Sequence, residues 1–249
     1  MTSTRAANLA ESLAALRKRV EAAAAAAGRD VVDVELLPVT KFFPTSDVVE
    51  LVRLGCDAFG ESREQEASRK IAEVAELAVG ERMPPLRWHM IGSIQRKKAR
   101  AVANWAFAAH SVDRTAVVEA LGRASAEALA EGTRTAPLQV YLQVSLDGDP
   151  DRGGVDVGRP DLVDELCGLA DASDGLDFVG LMAIPPLHAD VAESFARLES
   201  ELHRVQAFYQ QRLGLSAGMS GDLETAVKHG STCVRVGTAL MGPRPLTSP

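Results

Sequence analysis

The sequence has few cysteines, few aromatic residues and no long apolar run. Its 249 residues include three cysteines, Cys56, Cys167 and Cys233, and none of them belongs to a Cys-x-x-Cys pair. Such a sparse, odd set predicts reduced thiols in a cytoplasmic protein rather than a disulfide framework. No apolar segment approaches the roughly 18 residues of a membrane span, and the N-terminus lacks the apolar block of a signal peptide. No group of His, Cys, Asp and Glu residues has the spacing of a metal site.

Positive charge is also scarce, since 27 Lys and Arg residues face 34 Asp and Glu residues, for a net charge of −7. Proteins that bind nucleic acid or anionic membranes generally present basic surfaces, so we expect neither partner. One local exception is the basic run Arg96-Lys97-Lys98 with Arg100. A solvated helix face is the simpler interpretation of this run, and a weak anion-binding patch is the sharper one.

Segments of strand and helix character alternate along the chain. An N-terminal amphipathic helix carries Leu9, Leu13, Leu16 and Val20 on one face and ends near Gly28. The predicted strands lie at 34–39, 57–60, 87–92, within 105–112, and at 138–145, 178–184, 215–219 and 232–237. The predicted helices between and after them include 46–54, 62–77, 95–102, 114–129, 160–170, 191–212 and 222–228.

Eight such units in 249 residues predict a single domain over residues 1–249, a (β/α)₈ barrel with an extra N-terminal helix. An open doubly wound sheet is the competing arrangement. That fold commonly has a glycine-rich turn after its first strand, whereas this chain has the glycine-free segment 40–44 there. In the fifth predicted strand one alternate face is wholly polar, with Gln139, Tyr141, Gln143 and Ser145. We expect this row to point into the barrel lumen, which must then hold polar groups or a ligand.

The first predicted strand ends at Lys41, just before Phe42-Phe43-Pro44. A lysine at a strand end can extend its ammonium into water, and this is the simpler interpretation. The alternative is a partly desolvated lysine, whose lowered pKa makes the amine nucleophilic toward an aldehyde. In a barrel the carboxyl ends of the strands gather on one face, where chemistry is found.

A second group of candidates lies near the C-terminus. Gly218 and Gly221 flank Ser220 in a turn before a predicted helix, and Gly237-Thr238 follow the last strand. Barrels frequently bind phosphate after strands seven and eight, although Ser220 could also be an ordinary helix cap. Arg235 lies inside the last strand. It could pair with a neighbouring strand or face a ligand ring nitrogen or anion.

With these residues assembled, the chain resembles the pyridoxal phosphate homeostasis protein family over nearly its whole length. The motifs that carry the resemblance are Leu37-Pro-Val-Thr-Lys41, Phe59-Gly-Glu-Ser62, Trp88-His-Met-Ile-Gly92 with Gln95 and Lys98, Gly180-Leu-Met-Ala-Ile184, Gly218-Met-Ser220 with Asp222-Leu-Glu224, and Val234-Arg-Val-Gly-Thr238. The chain departs from the family at Ser62 and Lys97, where Asn is frequent. Several separate motifs in the same order make the resemblance specific.

The resemblance implies a barrel like the N-terminal domain of alanine racemase (fold type III) that holds pyridoxal 5′-phosphate (PLP). By it, Lys41 forms a Schiff base with PLP, and Ser220, Gly237 and Thr238 hold the phosphate. Arg235 faces the pyridine nitrogen and leaves it unprotonated, which weakens the ring as an electron sink. The implied cofactor-binding set is completed by His89, Met219 and Ser62.

For function, the resemblance implies a cytoplasmic PLP carrier or regulator of vitamin B6 balance, without strong turnover and with PLP-dependent apoenzymes as recipients. A monomer is expected, because the alternation pattern accounts for every apolar face. The alternative is a PLP-dependent amino-acid racemase or related fold-type III enzyme, although such a racemase uses a second domain and a tyrosine base. Tyr141 on the predicted lumen row could supply that base. A third hypothesis is an unrelated barrel enzyme that acts on a phosphorylated metabolite with Glu61 and Asp113 as its acid and base.

Overall fold

The computed structural model describes residues 4–77 and 83–244. The strands are β1 (Glu35–Pro38), β2 (Ala58–Glu61), β3 (Arg87–Met90), β4 (Ala108–Val112), β5 (Leu138–Ser145), β6 (Val155–Asp156), β7 (Leu176–Met182), β8 (Gly214–Ser216) and β9 (Cys233–Val236). The α-helices are α1 (Arg5–Ala26), α2 (Thr45–Arg53), α3 (Glu64–Leu77), α4 (Ala99–Trp105), α5 (Thr115–Ala130), α6 (Pro160–Asp171), α7 (Val191–Gln206), α8 (Leu223–Lys228) and α9 (Thr238–Met241). Short 3₁₀ turns lie at Val31–Asp33, Arg96–Lys98 and Pro150–Arg152.

The strands form a parallel barrel. Their order is β1-β9-β8-β7-β5-β4-β3-β2, with every neighbouring pair parallel. A parallel bridge between Val39 and Gly60 joins the two ends of this path, and the Thr40 N–H donates to the Gly60 carbonyl at 3.1 Å. The predicted (β/α)₈ barrel with its extra N-terminal helix is therefore confirmed, and the open sheet is excluded.

The apolar core lies outside the barrel wall, between strands and helices. The predicted face of α1 is buried, with Leu9, Leu13, Leu16 and Val20 each at most 3% exposed. This face joins the core cluster that includes residues of α2, α8 and β9. Burial of a leucine side chain contributes about 2 kcal/mol, so α1 is firmly attached to the barrel. Among the described residues, no helix combines the length and apolarity needed to cross a membrane.

The lumen is polar at its amino-terminal end. The Arg87 guanidinium pairs with Glu35 at 2.7 Å and with Asp57 at 3.1 Å. It also lies over the Phe107 ring, 5.4 Å from the ring centroid. This group leaves the opposite end, where the strands finish, as the open face of the barrel.

Two local predictions were wrong. Helix α7 ends at Gln206 rather than at residue 212, because the Gln206 side chain donates to the carbonyls of Tyr209 and Gln211 and accepts from the Leu213 N–H. Phe208, predicted on the buried side of that helix, is 70% exposed. The glycine-rich loop after β5 also contains β6, which pairs with the end of β5 and was not predicted.

Candidate functional site

Lys41 lies three residues after the end of β1 and is half-buried. A buried network holds the residue before it. The Thr40 hydroxyl donates to Glu61 Oε1 at 2.7 Å, and Lys70 Nζ donates to the Thr40 carbonyl at 2.8 Å and to Glu61 Oε1 at 2.6 Å. Phe42, on the other side of Lys41, has a φ of +70°. A left-handed conformation is costly for a bulky residue, so the backbone at Lys41 is fixed from both sides.

The electrostatic surroundings of Lys41 favour a neutral amine more than water does. Burial lowers its pKa, and the positive charges of Arg235 and Arg244 add to that effect. The negative charge of Glu61 opposes it. A lysine with a lowered pKa carries a larger fraction of nucleophilic amine near neutral pH. This feature distinguishes Lys41 from a lysine that simply extends into solvent.

Arg235 is a buried cation on β9, only 5% exposed. Its Nη1 donates to Ser216 Oγ at 2.5 Å and its Nη2 to the Ala183 carbonyl at 3.2 Å. Both acceptors are neutral, and within residues 4–77 and 83–244 no carboxylate forms an ion pair with Arg235. A buried guanidinium without a counter-ion is costly to desolvate. The arrangement therefore favours an anionic or electron-rich ligand beside it.

A chain of hydrogen bonds extends from Arg235 across the lumen. His110 Nδ1 lies 2.7 Å from Ser216 Oγ, and His110 Nε2 lies 2.9 Å from His89 Nδ1. Burial lowers the pKa of His89 to about 3 and holds that of His110 well below its ordinary value. Both rings are thus neutral. His89 Nε2, at the far end, is buried and has no hydrogen-bond partner among the described residues.

Tyr141 lies on the lumen face, as predicted, but deep in it. Its ring stacks on that of His110, with 4.6 Å between the ring centroids. Burial raises the pKa of its phenol, which hydrogen bonds to the Thr232 side chain. A phenol whose pKa is raised by burial stays protonated near neutral pH and is a poor base there.

The turn that contains Ser220 is joined to the segment that follows β9. The Ala239 N–H donates to Ser220 Oγ at 3.1 Å, which joins the turn after β8 to the start of α9. Gly237 precedes α9 and Thr238 is its exposed first residue. Gly218 has a φ of +92°, and its carbonyl accepts from the Arg235 N–H at 2.9 Å. This backbone hydrogen bond joins the turn directly to Arg235 on β9.

This turn lies next to the strand that presents Lys41. A Cβ atom added to Gly237 would lie 3.7 Å from Val39 Cβ, two residues before Lys41. Met219, in the same turn, is 38% exposed, and its N–H donates to Asp222 Oδ1 at 2.5 Å. Lys41, Ser220, Gly237, Thr238 and Arg235 are thus brought to the same end of the barrel, as the sequence predicted.

Two further residues of the predicted set, His89 and Ser62, have different surroundings. His89 is reached from Arg235 only through two other side chains. Ser62 lines a cavity of about 400 Å³ beside the first turn of α3, together with Met90, Ile94 and Lys98.

The sequence analysis missed several residues that support the site. Lys70 lies on α3, nine residues after Glu61, and Ser216 lies on the lumen side of β8. The alternation of β8 could have indicated Ser216, but nothing in the sequence pairs Lys70 with Glu61. The proposed acid and base, Glu61 and Asp113, each have a cationic neighbour instead. Lys70 lies 2.6 Å from Glu61, and Arg114 lies 3.0 Å from Asp113.

Comparison with known proteins places this geometry in context. Residues 12–245 match the family described as "Alanine racemase, N-terminal domain". The "Pyridoxal phosphate homeostasis protein" of Mycobacterium tuberculosis is 58% identical over 244 residues, which are 97% of this chain and 95% of that protein.

Solved structures show the same fold. PipY of Synechococcus elongatus, solved with PLP bound, is 34% identical with a TM-score of 0.77, over 94% of this chain and all of that one. Alanine racemase of Corynebacterium glutamicum is 15% identical with a TM-score of 0.62, over 95% of this chain and 63% of that one. The second likeness concerns the fold alone.

Proposed function

Because this chain belongs to the pyridoxal phosphate homeostasis protein family, we propose that it binds PLP at Lys41 and takes part in intracellular vitamin B6 balance. The observation that carries this proposal is the pair of cations at the carboxyl end of the barrel. Lys41 is half-buried, Arg235 is buried, and Arg235 has only neutral acceptors. A ligand with an aldehyde, an aromatic ring nitrogen and a phosphate dianion complements these groups.

The described residues fit PLP in three roles. When bound, PLP supplies an aldehyde that reacts reversibly with an amine, and Lys41 has the lowered pKa that this reaction needs. Ser220, Gly237 and Thr238 would hold the phosphate at the turn that precedes α9. Arg235 would donate to the pyridine nitrogen. His89, Met219 and Ser62 are proposed to complete the surroundings of the cofactor.

We propose that the bound cofactor is stored and released with little turnover. An arginine beside the pyridine nitrogen, in place of a carboxylate, leaves that nitrogen unprotonated and weakens the ring as an electron sink. The reversible bond to Lys41 then suits a monomeric cytoplasmic carrier from which PLP-dependent apoenzymes take the cofactor. A racemase with the same fold is the alternative, and the raised pKa of the Tyr141 phenol argues against it.

The decisive experiment maps the covalent attachment. The purified protein is loaded with PLP, reduced with borohydride and digested, and the pyridoxyl group is located by mass spectrometry. We expect the group on Lys41 and expect Lys41→Ala to lose both the adduct and the visible absorbance band. Lys98→Ala, which removes another lysine near the same barrel end, is the matched control and should retain both. An adduct elsewhere, or none, would contradict the proposal.

A second measurement separates storage from catalysis. The loaded protein is incubated with a panel of amino acids, and racemisation and deamination are followed beside free PLP at the same concentration. Rates close to those of free PLP support the carrier. Rates far above them that vanish with Lys41→Ala would favour the racemase alternative.

A further inference from the structure

A groove with a positively charged lining lies between α4 and α5 on the outer wall of the barrel. Its volume is about 210 Å³. Its lining residues are Arg96, Lys97, Ala99, Arg100, Ala120, Arg123, Ala124 and Glu127. Four cationic side chains thus surround a space with one carboxylate, in a chain whose net charge is −7. This concentration of positive charge runs against the overall composition.

The pairing of the arginines makes this groove unusual. Among the described residues, Arg96, Arg123 and Arg244 are the arginines without a hydrogen-bond or ion-pair acceptor, and Arg244 packs against the Phe42 ring instead. The two that remain line the same groove. Lys97, which lines the same groove, also has no acceptor within the part of the chain that the structure describes. Neighbouring unpaired cations repel each other, so this arrangement is stabilised when an anion lies between them.

The groove also shows which anions would fit. Its floor consists of Ala99, Ala120 and Ala124, which leave space and offer no hydrogen bond through their side chains. Its lining contains no aromatic side chain on which a nucleobase could stack. Recognition would therefore depend on charge and on the forked donors of the guanidinium groups, which match the oxygens of phosphate. The small volume suits a compact group rather than a drug-sized molecule.

The remaining cation of the groove, Arg100, differs from the others because it is already paired. Arg100 lies 3.8 Å from Glu127 and 3.7 Å from Glu131, so its charge is already balanced by these two carboxylates. The unpaired cations Arg96 and Lys97 belong to the turn that follows β3 and lead toward the carboxyl end of the barrel.

We propose that this groove is a second anion site, which binds a small, multiply charged phosphate through Arg96, Arg123 and Lys97. It is separate from the turn at Ser220 and Thr238, and its occupant would not touch the PLP held there. The basic run that the sequence presented as either a solvated face or an anion patch thereby gains a specific role.

Pyrophosphate is the probe that tests the site. PLP-loaded protein is titrated with pyrophosphate by calorimetry at low ionic strength, where surface charges are least screened. The test variant is Arg96→Gln with Arg123→Gln. The control, Lys18→Gln with Lys228→Gln, removes the same formal charge from two exposed lysines outside the groove. We expect the wild type and the control to bind pyrophosphate, and the Kd of the test variant to rise about tenfold or more.

Equal Kd values in the test variant and the wild type, or no pyrophosphate binding by the wild type, would overturn the proposal. A second measurement does not depend on how the variants fold. Arginine side-chain NMR signals of the wild type should shift with pyrophosphate at Arg96 and Arg123 and stay fixed at Arg159, which is paired with Asp161. Uptake of PLP is followed by absorbance in the same samples. If PLP uptake fails, the proposed function fails. The comparison of pyrophosphate binding by unloaded wild type and variant still tests the groove as an anion site.

Discussion

The buried ion pair between Lys70 and Glu61 fixes the strand end that presents Lys41, so Lys70→Met should damage both stability and cofactor binding. The two side chains are 10% and 1% exposed, and their charged atoms are 2.6 Å apart. Met retains the length and apolar stem of Lys70 but removes its charge. The carboxylate of Glu61 would then keep only the Thr40 hydroxyl as its partner.

The expected loss follows from that uncompensated charge. Removal of one partner from a buried pair lowers the free energy of unfolding by about 3–5 kcal/mol. The lost hydrogen bond to the Thr40 carbonyl acts in the same direction. Replacement of both charges, in Glu61→Gln with Lys70→Met, removes the buried carboxylate as well. We expect this double variant to lose less than half as much as Lys70→Met alone.

Equilibrium urea unfolding of the wild type, Lys70→Met, Glu61→Gln and the double variant measures both quantities, with the visible absorbance of bound PLP as a second readout. Because Thr40 directly precedes Lys41, Lys70→Met should also weaken PLP binding, and the double variant should recover part of it. Arg69→Met, on the exposed side of the same helix, is the matched control and should change stability by at most about 0.5 kcal/mol. A loss below about 1 kcal/mol in Lys70→Met, or a larger loss in the double variant, would refute the reasoning.

Three further predictions concern the lumen and the anion turn. His89 has a folded pKa of about 3, below its unfolded value of about 6.5, so the unfolded chain takes up a proton first as the pH falls. The free energy of unfolding should therefore fall by about 1.4 kcal/mol for each unit by which the pH is lowered below about 6.5. His89→Gln should remove that slope from the urea-unfolding profile between about pH 5.5 and 4.5. Gly218→Ala should lower the free energy of unfolding by more than about 2 kcal/mol, because φ is +92° and the new Cβ would lie 2.5 Å from Ala226 Cβ. Gly221→Ala, where a Cβ meets open space, is the control and should change it by at most about 0.5 kcal/mol. Arg235→Met should cost the unloaded protein at most about 1 kcal/mol, since it removes an uncompensated charge, yet raise the Kd for PLP at least about tenfold in an absorbance titration.

Much of the fold could be predicted from local patterns. The barrel follows from eight alternations of strand and helix periodicity, and these depend only on neighbours in sequence. The end of α7 could not be predicted in this way. Apolar periodicity continues through Phe208, but the Gln206 side chain hydrogen bonds to backbone groups beyond the helix and ends it. Strand β6 was missed for a related reason, since only pairing with β5 makes an extended segment of that loop a strand.

The candidate site likewise combines residues whose position follows from local patterns with contacts between distant segments. Lys41, Ser220 and Gly237 could be predicted because each follows a strand, and parallel strands in a barrel end on the same face. The supporting contacts could not be predicted. The approach of Lys70 to Glu61 depends on how α3 packs on β2, and that of His110 to Ser216 crosses the lumen between distant parts of the chain.

The protonation states around the lumen support the proposed carrier role. Acid and base catalysis is most effective when a group has a pKa near the operating pH. Burial lowers the pKa of both His89 and His110 far below neutrality and raises that of Tyr141, so none of the three exchanges protons readily near pH 7. Burial lowers the pKa of Lys41 toward neutrality, and covalent attachment of an aldehyde uses that same amine. The scarcity of groups that exchange protons near pH 7 supports the proposed storage of the cofactor over its turnover.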